Sequence, residues 1–304
     1  MTDRRRFLKA GGAALASLAA APLLARTAAT GTPAAVSAAG AIAEATDFDA
    51  LERISGGRLG VALMDAQGKV IAGHRQKELF PMCSTFKWLL GAAALHQSER
   101  SPGLLDRRIP MRAVDLIEHA PITSRHVGKD LTVRDLCRAT MMTSDNPAAN
   151  LLLRLLGGPA GITAFLRANG DDVTRNDRYE PEMNRFEPGD PRDTTSPVAT
   201  AGSLRRIVLG NVLNDASRLQ LTDWLIDNAT GDARLRAGLG QRWRIGDRTG
   251  GDGKSISNDI AVLWPLAGGT PWILTSYLQG ATVDGTMRDV VLKQVGVLAD
   301  RMIA

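Results

Sequence analysis

Cysteine is almost missing from this chain of 304 residues: Cys83 and Cys137 are the whole supply. At most one disulfide can form, and none is indicated, because both cysteines lie in segments that read as buried helices. His74, His96, His119 and His126 are scattered rather than clustered at metal-ligand spacing, so no metal and no cofactor is expected. A block of like charge is missing from the body of the chain as well. The formal charge of +5 rests largely on Arg4, Arg5, Arg6, Lys9 and Arg26 near the start, where Asp3 is the one acid. Setting those residues aside leaves 32 basic and 31 acidic side chains, which removes the main support for a nucleic-acid partner. A long apolar run is also missing. The stretch from Ala10 to Ala25 is short for a bilayer span and rich in Ala and Gly.

Near that run stands DRRRFLKAGGAALASLAAAPLLA, paired arginines ahead of Phe-Leu-Lys and a modest apolar segment. It resembles a twin-arginine export signal. Residues 1–30 are therefore read as signal peptide and leader, with disorder expected to about Thr46. The twin-arginine export machinery is an expected partner, with no stable membrane insertion after cleavage, and the location is periplasmic or secreted.

Beyond the leader, Phe48 to Ser55 reads as a short helix, followed by strands Arg58 to Met64 and Val70 to His74 around an Asp-Ala-Gln-Gly turn. A long helical stretch follows. Its segments are Thr85 to His96, Thr132 to Met142, Pro147 to Leu156, Ala160 to Ala168, Ser196 to Leu209 and Ala216 to Asn228. Thr132 with Asp135 reads as a capping box. Residues 172 to 197 are polar, rich in Pro and Asp and aperiodic, a loop long enough to suggest function. Strands return at Trp243 to Asp247, Ser257 to Pro265 and Trp272 to Gln279, and Gly285 to Met302 closes the chain as a helix. This order predicts an α+β fold: an antiparallel sheet built from both chain ends, flanked by helices, with a helical sub-domain inserted. The boundaries expected are 47–78 with 228–304 for the α/β part, and 79–227 for the helical part, within one catalytic domain at 47–304. A cleft between the parts is the expected place for a site.

PMCSTFKWLL places Ser84 three residues before Lys87, within reach of one another on a helix face. A hydroxyl becomes nucleophilic when a neighbouring base takes its proton. On its own the pair also reads as an N-cap serine followed by a snorkelling lysine. Three further motifs follow: SDNPAAN at 144–150, EPEMN at 180–184 inside the long loop, and DRTGG at 247–251 after a strand. Each also has an ordinary reading as a cap, a solvated loop or a strand-end turn.

Together, in this order and spacing, they resemble the class A serine β-lactamases. The likeness runs from Phe48 to the C-terminus and implies the serine β-lactamase/DD-peptidase-like fold. It extends to Arg178 and Asp193, which match the ion pair pinning that family's long loop, and to Asn150, which helps hold it. The resemblance implies a role for each residue. Ser84 forms the acyl-enzyme; Lys87, or Glu180 through a water, takes its proton; Ser144 passes a proton to the leaving nitrogen. Glu180 and Asn184 hold the hydrolytic water, and Asn146 bonds the substrate side chain. The amides of Ser84 and Gly251 form the oxyanion hole. Arg248, Thr249 and Gly250 stand where the family has Lys-Thr-Gly. Arginine there resembles the carbenicillin-hydrolysing subgroup, so a monomeric penicillinase acting on β-lactam antibiotics is expected. Arg234 is expected to help bind the substrate carboxylate, since Ser257 occupies the position where many members carry arginine, and His119 to line the cleft mouth. Met183 replaces the usual leucine, and Asp252 replaces the cysteine that bridges to the Cys83 position in some members. The alternatives are a penicillin-sensitive DD-peptidase, which lacks the glutamate, and a non-catalytic sensor.

Overall fold

The computed structural model describes residues 33–303; the export signal expected over 1–30 lies outside them. The elements are α1 (Pro33–Glu44), α2 (Phe48–Ser55), β1 (Arg58–Asp65), β2 (Val70–His74), β3 (Phe80–Pro81), α3 (Lys87–Ser98), β4 (Arg108–Pro110), β5 (Asp130–Thr132), α4 (Val133–Thr143), α5 (Asn146–Leu155), α6 (Gly158–Ala168), β6 (Thr194–Thr195), α7 (Pro197–Leu204), α8 (Asp215–Ile226), α9 (Leu235–Gly238), β7 (Trp243–Gly251), β8 (Ser257–Pro265), β9 (Trp272–Gln279) and α10 (Gly285–Met302). A 3₁₀ turn, Cys83–Phe86, leads into α3.

Five strands form one antiparallel sheet in the order β2-β1-β9-β8-β7, so the N-terminal hairpin pairs with the last strand. Strand β1 alternates its side chains between two apolar layers. Val61 and Leu63 join Val291, Leu292 and Val295 of α10 on one face. Ala62 and Met64 face the helical block, whose core includes Leu90, Leu136, Leu152 and Ile207. A strand buried on both faces has no polar side to alternate with, which is why β1 reads as a continuous apolar run from Leu59 to Met64 and β8 as one from Ile260 to Trp264.

Caps set the helix starts. Thr132 and Asp135 form the capping box expected for α4. Asp145 accepts the Ala148 amide ahead of α5, with Pro147 in its first turn.

Three expectations need correction. Residues 33–44 were expected in a disordered leader, but they form α1, whose Ile42 is buried against the α10 layer; Gln294 of α10 donates to Ala43 O and Ala45 O. An Ala-rich composition suits a leader, yet it also favours a helix once a neighbouring surface is available. The helix expected from Thr85 begins as a 3₁₀ turn, so Ser84 precedes the α-helix proper. Strand β7 continues through Arg248-Thr249-Gly250-Gly251 rather than stopping at Asp247. Full pairing with β8 holds these residues extended despite the two glycines.

Candidate active site

The site begins with the turn that carries Ser84. Residues at i and i+3 eclipse one another in a 3₁₀ turn, which stacks Lys87 on Ser84. The Lys87 ammonium donates to Ser84 Oγ at 2.9 Å. Cys83, just before the serine, adopts φ 45°, a left-handed conformation that strains a non-glycine residue. Its neighbours hold it there. Asn258 of β8 donates to Pro81 O (2.9 Å) and Met82 O (3.1 Å), and β3 pairs with β6 at the end of the long loop. Strand β7 presses against the turn from the other side. A Cβ on Gly250 would come within 2.8 Å of Met82 O and Thr85 N and 3.0 Å of Ser84 N, so only glycine fits. As the outer strand of the sheet, β7 has one unpaired edge.

Helix α4 ends in Ser144 at φ 62°, and this reversal points two groups at Lys87. Its ammonium donates to Ser144 O (2.8 Å), Ser144 Oγ (3.1 Å) and Asn146 Oδ1 (2.5 Å). Asp145 between them is buried and accepts four bonds, from the amides of Ile122, Thr123 and Ala148 and the hydroxyl of Thr123. That network fixes the turn. Asn146 also donates through Nδ2 to Glu118 O, and the second hydrogen on that nitrogen is left for a further acceptor.

The third component arrives from the loop at 172–197. Glu180 is buried; its Oε1 lies 3.0 Å from Lys87 Nζ and 3.4 Å from Ser84 Oγ, and its Oε2 accepts from Asn184 Nδ2 at 2.5 Å. Asn150 of α5 clamps the Glu180 backbone at both polar groups, donating to its O (2.8 Å) and accepting from its N (2.9 Å). Arg178 Nε pairs with Asp193 Oδ2 at 2.6 Å, and Asp193 also accepts from Asn176 Nδ2 and the amides of Asp177 and Arg178. Burial pushes the Lys87 pKa down from 10.5 to about 8, against the pull of the Glu180 carboxylate and with the help of the Arg248 charge.

Arg248 does not reach the protein surface: its exposure is 0%. Its Nη1 donates to Asn228 Oδ1 and Thr230 Oγ1, both at 3.2 Å, while its Nε and Nη2 carry no hydrogen bond among the described residues. Desolvation lowers its pKa to about 10, which leaves it charged at neutral pH. Thr230 in turn bonds the Thr249 hydroxyl at 2.5 Å. Arg234 lies half-buried, its Nε on Asp289 and its Nη1 on Gly250 O and Asn258 O, so it braces the ends of β7 and β8. Exposed His119 has φ 57°, and its Nε2 lies 3.0 Å from Thr143 O.

Ser84, Lys87, Ser144, Asn146, Glu180 and Asn184 therefore form one connected cluster. Arg248 and Thr249 form a second, joined through Thr230; Arg234 and His119 touch neither cluster by a side-chain bond. The sequence reading missed Asn258, Thr230 and Asn228. Polar residues in apolar strand and helix-end segments are their only trace, and their bonds span 177 residues in the case of Asn258 and Pro81.

A serine hydroxyl, a buried lysine and a buried carboxylate around one point, at the junction of an antiparallel sheet and a helical block, define a serine acyl-transfer hydrolase. Comparison with known proteins gives the family. A model of the β-lactamase enzyme family matches residues 44–299, and the chain belongs to that family. It is 60% identical to β-lactamase L2 of Stenotrophomonas maltophilia over the full length of both chains. It is 46% identical to β-lactamase CTX-M-25 of Escherichia coli, over 83% of this chain and 86% of the relative. A crystal structure of L2 complexed with relebactam superposes with a TM-score of 0.86 at 62% identity, covering 88% of this chain and 99% of that one. The last common ancestor of Gram-negative bacteria class A β-lactamase matches with a TM-score of 0.81 at 51% identity, covering 88% and 100%. The chain is a class A serine β-lactamase, a hydrolase of β-lactams whose activity confers resistance to them.

Proposed function

We propose that this enzyme works through an acyl-enzyme on Ser84, with penicillins as its favoured substrates. The observation that carries the reading is Glu180 Oε1, which lies within 3.4 Å of both Ser84 Oγ and Lys87 Nζ. Ser84 Oγ attacks the lactam carbonyl carbon while its proton passes to Glu180, directly or through a water. The amides of Ser84 and Gly251 hold the oxyanion; losing one such donor typically slows the reaction about 10²–10³-fold. The C–N bond then breaks, and the nitrogen takes the Ser144 proton, which Lys87 replaces. Before the second half, the Glu180 proton passes to the neutral Lys87 amine 3.0 Å away, which restores the carboxylate and the ammonium. Glu180 and Asn184 then hold a water, Glu180 takes its proton as the oxygen attacks the acyl carbon, and the ester bond breaks as that proton passes to Ser84 Oγ. Asn146 bonds the substrate side-chain amide through its remaining Nδ2 hydrogen.

Buried Arg248 supports a carboxylate-attracting role expressed through the Thr230 and Thr249 hydroxyls rather than through its own fork. Arg234 adds charge beside Gly250, and His119 borders the mouth. Activity on carboxy-penicillins of the carbenicillin type belongs to this reading, as does binding of relebactam, which the related L2 takes up. We further read the protein as a monomer, exported to the periplasm by the twin-arginine route, with the α/β part at 47–78 and 228–304 and the helical part at 79–227.

Glu180→Ala tests the mechanism. With benzylpenicillin, intact-mass analysis is expected to show an adduct on Ser84 that forms more slowly than in the parent and then persists. Turnover at the parental rate contradicts the role of Glu180.

A further inference from the structure

A buried line of hydroxyls runs from the neck of the Glu180 loop to the central sheet beside Ser84. The Tyr277 OH on β9 lies 2.9 Å from Thr200 Oγ1, Thr200 lies 2.8 Å from Thr195 Oγ1, and Thr195 lies 2.7 Å from Thr174 Oγ1. Thr174 donates to Asp171 Oδ2 at 2.7 Å. Every member is at least nine-tenths buried.

The direction of the line follows from counting protons. Asp171 accepts two hydroxyls, from Thr174 and Ser203, and the amides of Val173 and Thr174. Because Thr174 has given its one proton to the carboxylate, Thr195 donates to Thr174, Thr200 to Thr195, and Tyr277 to Thr200. Burial pushes the Tyr277 hydroxyl pKa up, which keeps that first proton in place. Thr174 and Thr195 are the two ends of the long loop, 21 residues apart, so their contact closes its neck. Asp171, Thr174, Thr200 and Tyr277 all line one cavity of about 10 Å³, together with Met82, Thr85 and Phe86 at the nucleophile turn. The line thus ties the neck of the loop that carries Glu180 to the frame that carries Ser84.

We propose that Tyr277 and Thr200 are positioning residues for the hydrolytic half of the reaction, holding the Glu180 loop in register with Ser84 through Thr195 and Thr174. This rests on the reading that Glu180 activates the deacylating water. The bonds inside the loop set its shape. The hydroxyl line helps set its distance from the serine, and small misplacements of a reacting group lower rates steeply. Deacylation feels this more than acylation. The attacking water is held by two loop residues, Glu180 and Asn184, whereas Ser84 is held by its own turn and Asn258.

The test compares Thr200→Val, Tyr277→Phe, Thr200→Ser and Glu180→Gln with the parent. The acyl-enzyme formed on benzylpenicillin is trapped by rapid mixing, and its first-order decay is followed by intact mass. That rate constant is independent of how much protein is folded. For Thr200→Val and Tyr277→Phe, decay is expected to slow roughly tenfold, the effect of one buried hydrogen bond lost and its partner left unpaired. The steady-state kcat and KM are expected to fall together, with kcat/KM falling less than kcat, because acylation uses Glu180 too but its nucleophile is held by a separate turn. Thr200→Ser, which restores the hydroxyl, is expected to return the parental decay. Parental decay in the Val and Phe variants, while Glu180→Gln stalls, overturns the positioning role alone. Rapid decay in Glu180→Gln overturns the Glu180 reading instead. A fall in kcat/KM as large as that in kcat, not reversed by Thr200→Ser, shows general structural loss and also overturns the proposal.

Discussion

Lys87 sits among oxygens: Ser84 Oγ, Ser144 O and Oγ, Asn146 Oδ1 and Glu180 Oε1 all lie within 3.1 Å of its nitrogen. An ammonium suits such a shell better than a neutral amine, because it offers three donors to these five oxygens and the amine offers two. Its pKa of about 8 nevertheless places the charge near its limit at neutral pH. As pH rises through 8 the ammonium loses its proton, and with it the supply that replenishes Ser144. A profile of kcat/KM against pH is therefore expected to fall on its basic side with an apparent pKa near 8. A rise through the same range would make neutral Lys87 the acylation base. Stability moves the other way. The ordinary lysine value is 10.5, so between about 8 and 10.5 the unfolded chain binds more protons than the folded one, and this group's contribution to stability grows with pH. Ser84 and Lys87 were legible in the sequence because three residues of spacing bring them together locally. Arg248 was legible by position, but its burial was not: exposure depends on what covers a side chain, here Asn228 and Thr230 from a distant segment.

Among the elements, the long loop depends most on single contacts. Asp193 is fully buried and accepts Arg178 Nε, Asn176 Nδ2 and two backbone amides. Asp193→Ala leaves the guanidinium and those donors without their acceptor, which is expected to destabilise the fold by about 3–5 kcal/mol. Urea unfolding monitored by circular dichroism measures this, and a loss under about 1 kcal/mol would show that the loop holds without the pair. The loop was visible in the sequence as a long aperiodic stretch, and Arg178 with Asp193 through family likeness. Its attachment at the neck by hydroxyls was not, because isolated threonines carry no periodic signal. The nucleophile turn shows the same division. The helix of α3 follows from its apolar run, but the 3₁₀ turn before it, with Cys83 at φ 45°, is imposed by Asn258, Gly250 and the β3–β6 pair.

Over the whole molecule, one sheet lies between two apolar layers, and the site sits where its outer strand meets the helical block. This architecture needs no covalent staple. Cys83 and Cys137 are both buried and free, and burial pushes the Cys137 thiol pKa up to about 12 and that of Cys83 further still. The thermal midpoint of the protein is accordingly expected to be the same with and without a reducing agent. A lower midpoint under reduction would point to a disulfide that this packing does not contain. Helix α1 belongs to this scale too, since its composition resembles a leader and the surfaces of α2 and α10 make it a packed element.

By itself the sequence determined what depends on neighbours in the chain. Strand and helix segments, the capping box at Thr132, the Ser84–Lys87 spacing and the four motifs in family order all follow from short-range pattern. Tertiary structure alone decided how the motifs meet. It brought Glu180 to Ser84 across 96 residues, buried Arg248 behind Thr230, turned Ser144 toward Lys87 and made Asn258 a brace for the nucleophile turn. Bringing residues so far apart together closes long loops of chain, and a one-dimensional pattern carries no record of which loops close.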